Sequence, residues 1–260
     1  APGDRELLKA PMFTATGIGS MPFTDPQYAV DTVFRHFREA PFWPQLPRLG
    51  VREDMIAQYS EGLPNISIDE TRRKTMMDTS RDLTGELEAF YQAYLDAAQS
   101  ATETAAWTRF AVSSKFSKSI DGFEESLAHR PKPPYVKVQT TGPCTFALSC
   151  QDAEGLAVYY RKELRDVVTK MLAMKSRWQI RRFRPYAAET ICFIDEPVLA
   201  AFGSSTLIGV QREDVVEMLQ EVVEAIHAEN AIAGMHCCGN TDWSIPVDAG
   251  VDILNFDAFA

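Results

Sequence analysis

Short apolar runs that end in glycine or charge alternate along this chain with longer stretches of 3.6-residue periodicity, and that alternation limits the fold more than any other feature. Runs of this kind, each followed by an amphipathic helix, build parallel β/α units, because the helix carries the chain back to start the next strand in the same direction. The strand candidates are residues 13–19, 42–45, 135–141, 190–194, 232–236 and 251–256. Asp25-Pro26 reads as a helix start, an N-cap followed by proline at the first position, with Val30, Val33, Phe34 and Phe37 on the buried face. Further helices are expected over 81–99, 155–183 and 213–229. In the second of these, Leu156, Tyr159, Leu164, Val167, Met171, Trp178 and Phe183 form the buried side. Arg177, Arg181, Arg182 and Arg184 gather near its end, either as an anion site or as cations meeting the helix dipole.

Six strand candidates fall short of the eight that close a (β/α)8 barrel. The sequence therefore predicts one α/β domain of the (β/α)8 TIM-barrel type over residues 1–260, incomplete at its C-terminal end, with a helical excursion at about 50–134. Acidic side chains number 36 against 26 basic, and the net charge of −10 disfavours a grip on nucleic acid or anionic lipid. No apolar run approaches the ~20 residues of a membrane span. The five cysteines are an odd number and include the adjacent pair Cys237-Cys238, which points to reduced thiols and a cytoplasmic setting.

Chemistry-bearing residues sit where the strands end. On a strand, residues two apart face the same way, so His236 and Cys238 can converge on one ion while Cys237 turns to the opposite face. Imidazole and thiolate together are zinc ligands, although the same pair is also found as a packed histidine beside buried thiols. Asp257, at the end of the next strand, stands about 4.8 Å away across a sheet and can supply a carboxylate. Asp195, in Ile194-Asp195-Glu196-Pro197, either points into the mouth of the sheet to hold an ammonium or caps the turn that follows. Gly17-Ile18-Gly19-Ser20 ends the first strand with a close backbone approach and a hydroxyl, and by itself reads as a plain turn.

Taken in order, GIGSMP at 17–22, REDMIAQY at 52–59, TGPCT at 141–145, IDEP at 194–197 and HCCGN at 236–240 resemble the catalytic barrel of cobalamin-independent methionine synthase. They are similar to its short relatives within the wider superfamily of uroporphyrinogen decarboxylase and corrinoid methyltransferases. The resemblance covers residues 13–257 and implies a zinc-dependent methyltransferase, in which Zn2+ lowers the pKa of a thiol acceptor such as homocysteine and a methyl donor alkylates the thiolate. By resemblance His236 and Cys238 match zinc ligands, with Asp257 where the family has a glutamate. Ile18, Gly19 and Ser20 match the homocysteine-binding segment, and Asp195 the aspartate that contacts the amino acid.

The sequence also departs from that pattern. Ala201 and Ser149 stand where the family contacts folate, the segment LGVRED lacks a glutamate of the amino-group site, and no cysteine follows Cys238. The first of these departures directs attention to a corrinoid protein as donor. A uroporphyrinogen decarboxylase-like enzyme and a non-catalytic barrel that binds a small molecule are the alternatives.

Overall fold

In chain order the elements are α1 (Pro26–His36), α2 (Met55–Tyr59), the hairpin β1 (Ile66–Asp69) and β2 (Lys74–Met77), α3 (Thr84–Gln99), α4 (Ile120–Ala128), β3 (Tyr135–Thr141), α5 (Pro143–Ser149), α6 (Lys162–Phe183), β4 (Glu189–Asp195), α7 (Arg212–Ala228), β5 (Ile232–Cys237), α8 (Ser244–Asp248) and β6 (Ile253–Phe256). The computed structural model describes residues 14–100 and 105–259, so Phe13 of the first strand candidate lies outside them. Strands β3, β4, β5 and β6 pair in that order, all parallel, and give a mixed α/β fold around a four-stranded sheet.

The two earliest strand candidates are not ladders. Single parallel bridges join the first to the second, Ser20 to Gln45, and the second to β3, Phe42 to Lys137. Pro41 and Pro44 have no N–H to give, which keeps the second segment from pairing continuously. Backbone bonds still tie the segments together: Gln45 N donates to Gly19 O at 2.9 Å, and Lys137 N to Pro41 O at 2.9 Å. The excursion at 50–134 is helical in part only, since it also holds the β1–β2 hairpin.

Strand alternation divides the sheet into two faces. Val136, Val138, Cys192, Ile194, Ala233, Met235 and Cys237 join the main core beneath the helices. The other face carries a small apolar cluster of Ile191, Phe193 and Ile232, packed with Tyr135 and Ile253. On the helix side, α1 begins as the sequence predicts: Asp25 Oδ1 accepts from Tyr28 N at 3.0 Å, and Val30, Val33 and Phe34 are buried. Phe34 stacks on Phe123 of α4 with ring centres 5.3 Å apart, and Phe123 meets Phe183 of α6 at 5.5 Å.

The long helix starts at Lys162, later than its periodicity suggests. Asp152 Oδ1 accepts from the backbone of Glu154 and Leu156, and this turn replaces the first helical turns and leaves Leu156 exposed. The arginines at its other end have structural partners: Arg177, Arg181 and Arg184 converge on Glu229, and Arg182 pairs with Asp121 and Glu124. Among the described residues, no helix is long and apolar enough to cross a membrane.

Lys175 of α6 is wholly buried and donates from Nζ to Ala111 O at 2.7 Å. Burial pushes its ammonium down to about 8, against the attraction of Glu61. An unfolded lysine titrates near 10.4, so between about 8 and 10.4 the unfolded chain holds the extra proton and stability rises with pH. Relative to Lys175→Met, the wild type is expected to gain about 2 kcal/mol between pH 8 and 10 in urea unfolding. Parallel pH profiles for the two proteins would contradict this.

Candidate functional site

Register decides which residues share a level at the C-terminal end of the sheet. Thr141, Asp195, His236 and Asn255 are partners across four adjacent strands. Alternation puts these side chains on the face away from the helices, along with Lys137 and Gln139, four and two residues before Thr141. Cys237, one residue past His236, is fully buried on the helix side instead.

Lys137 is the least expected member of this face. Its side chain is buried, and Nζ donates to Ile18 O and to Gln139 Oε1, between the rings of Phe42 and Phe193 at 5.7 and 5.3 Å. Burial pushes its ammonium down, and the Asp195 carboxylate opposes that shift. The same burial pushes the Asp195 carboxyl up, while the charge of Lys137 pulls it back. Asp195 Oδ1 is buried and has no hydrogen-bond partner among the described residues. A buried acceptor left open costs about 1–3 kcal/mol, so this oxygen is set for a donor brought by a ligand.

The 17–20 turn is pinned against this face. Gly19 has φ +144, and a Cβ there would lie 2.7 Å from Gln45 Oε1 and 3.0 Å from Gln139 Cδ. Gln139 Nε2 donates to Trp43 O at 2.9 Å. A second buried chain runs from Gln45 through Gln58 to Glu53, with Gln45 Nε2 to Gln58 Oε1 at 2.6 Å and Gln58 Nε2 to Glu53 Oε2 at 3.3 Å. Ile18 and Ser20 are exposed, and the Ser20 hydroxyl makes no hydrogen bond among the described residues.

His236 is half-buried. Its Nδ1 pairs with Asn255 Oδ1 at 2.6 Å, which fixes the ring and leaves Nε2 with its lone pair. Burial lowers the imidazole pKa, the Asn255 contact and Asp257 raise it, and Lys137 lowers it further. Cys238 is exposed just beyond the strand, and Asp257 is exposed with Oδ1 accepting from Phe259 N at 2.9 Å. The structure thus joins Ile18 and Gly19 to Lys137 and Gln139, and sets Asp195 beside His236. Among the described residues no three His, Cys, Asp or Glu side chains stand together as a metal-holding group.

Glu196, the next residue after Asp195, faces the other way. It is fully buried and accepts from Cys144 N, Thr145 N and Thr145 Oγ1 at 2.6–2.9 Å, locking the Gly142-Pro143 turn to β4. Sequence reasoning missed Lys137, Gln139, Gln45 and Asn255. The visible signal was the alternation Lys137, Gln139, Thr141 against Val136, Val138, Thr140, which reads as an ordinary half-exposed strand. Comparison with models of known families gave no match, and no curated protein matches the chain.

The close fit at Gly19 can be tested. Gly50 also has positive φ, +153, but nothing lies within 4 Å of its missing Cβ. Gly19→Ala is expected to cost about 1–3 kcal/mol more than Gly50→Ala in urea unfolding, because it adds overpacking to backbone strain. Equal losses would show that the turn does not pack as described.

Proposed function

We propose that this chain is a zinc-dependent S-methyltransferase on a (β/α)8-type framework, which moves a methyl group to a thiol-bearing amino acid such as homocysteine. The orphaned, buried Oδ1 of Asp195 beside His236 carries this reading. A ligand ammonium would supply the missing donor, and an acceptor held there by its amino group would extend its thiol along the same row of strand ends. Ser20, exposed on the turn that Lys137 anchors, is suited to the acceptor carboxylate.

The donor set suits zinc in kind: the Nε2 of His236 and the thiol of Cys238, with the carboxylate of Asp257 just past the end of the neighbouring strand. Two or three donors of this type leave room for a substrate sulfur. When bound, zinc lowers the pKa of the thiol and keeps it as thiolate at neutral pH. The protein's own contribution is positional. Asp195 holds the ammonium, Asn255 orients the imidazole, and Lys137 fixes the turn that carries Ser20. The sulfur lone pair then forms the S–CH3 bond, the donor keeps the electron pair of the bond that breaks, and the thiol proton has already passed to solvent.

Ala201 and Ser149 favour a methylcorrinoid, carried by a partner protein, over a folate donor. Ala201 offers no carboxylate and the exposed Ser149 offers no ring against which a pterin can stack. The five cysteines are all unpaired, which suits a reducing cytoplasm. Elemental analysis and a methyl-transfer assay test the whole reading. Zinc content and transfer from methylcobalamin to homocysteine are expected to be lost in Cys238→Ser and kept in Cys237→Ser. Turnover with 5-methyltetrahydrofolate is expected to be slower by tenfold or more, on the order of 1–3 kcal/mol for a lost stacking or charged contact. Full activity and zinc retention in Cys238→Ser would overturn the proposal.

A further inference from the structure

At the opposite end of the sheet, a cleft of about 680 Å3 opens between the C-terminal half of α1 and the proline-rich entry to β3. Seven residues of β3 separate the two ends, about 20 Å at ~3.3 Å per residue. Arg35, Arg38, Arg130 and Lys132 line the cleft, with Asp31 as its one carboxylate and with Phe34 and Pro133 among its apolar lining residues.

What sets these cations apart is their lack of partners. Elsewhere in the described residues every arginine side chain makes an ion pair or donates a hydrogen bond: Arg48 and Arg109 reach backbone carbonyls and the others reach carboxylates. Arg35, Arg38 and Arg130 do neither, and all three face this cleft. Arg130 lies over the Phe34 ring, its guanidinium carbon 4.6 Å from the ring centre. In a chain of net charge −10, three guanidinium groups without ion pairs, gathered at one concavity whose lining holds a single carboxylate, call for an anion.

We infer that this cleft binds a small molecule bearing two linked phosphates. Guanidinium forks match phosphate oxygens in pairs, and a diphosphate brings nearly the charge that the lining leaves unbalanced. The volume exceeds that of a diphosphate alone and leaves space for an organic group against the prolines and Phe34. The inference does not rest on the zinc or acceptor site.

The test is calorimetric titration of the 260-residue chain with pyrophosphate and with ADP at low salt, together with amide chemical-shift mapping on the unmutated protein. Saturable one-to-one binding is expected, with amide shifts centred on residues 31–38, Arg130 and Lys132. Arg38→Ala and Lys132→Ala should each weaken it about tenfold, while Arg72→Ala, on the hairpin, leaves it unchanged. Both cleft residues are exposed and unbonded, so thermal melting should not move. Absence of saturable binding, shifts mapping elsewhere, or equal affinity in the cleft variants would overturn the inference. So would binding of a hexaglutamate peptide without binding of either phosphate probe, which would assign the cleft to an acidic protein partner.

Discussion

A parallel sheet has one register per strand pair, and here that register brings residues far apart in sequence to one level. Thr141, Asp195, His236 and Asn255 are aligned because the β3–β4, β4–β5 and β5–β6 ladders pair them in turn. A slip of one residue on β4 would exchange Asp195 with Glu196, turning the open carboxylate into the helix-side core and the turn-locking carboxylate toward the Lys137 face. Glu196 guards against that slip, since its three hydrogen bonds to Cys144 and Thr145 exist only in the observed register. Stability and site geometry thus depend on the same pair of neighbouring acids, one satisfied and one open.

Much of this could be read from the sequence. Apolar strands ending in Asp195 and in His236 gave both the parallel β/α order and the location of the rim, because charge at the end of a buried run has few other places to go. The first two strands were less legible: prolines 41 and 44 remove donors, and the local run of apolar residues concealed that only single bridges form. Lys137 and Gln139 were hidden for a different reason. Polar alternation normally marks a solvent-facing side, yet here it marks an interior in which backbone carbonyls and aromatic rings replace water around an ammonium. The start of α6 was misread because periodicity cannot see that Asp152 captures the amides of Glu154 and Leu156.

Charge is sorted across the molecule. Carboxylates on the helix layer absorb most of the arginines, and Glu229 alone holds three. The candidate site keeps its one amine buried and tied to a carbonyl, leaving a carboxylate oxygen open for a cation. The far end of the sheet does the reverse, gathering three guanidinium groups and the Lys132 ammonium around a single carboxylate, Asp31. One framework therefore presents opposite electrostatic demands at its two ends, each tied to an unpaired group.

The central claim is that Asp195 is open because an acceptor's ammonium completes it. Calorimetry of the zinc-loaded protein with L-homocysteine and with 4-mercaptobutanoate, which lacks only the amino group, tests this most directly in wild type and Asp195→Asn. The account predicts that wild type prefers homocysteine by about 1–3 kcal/mol, the scale of a hydrogen bond to a charged group, and that Asp195→Asn loses most of that preference. Equal affinity of the wild type for both thiols, or a preference that survives in Asp195→Asn, would contradict it.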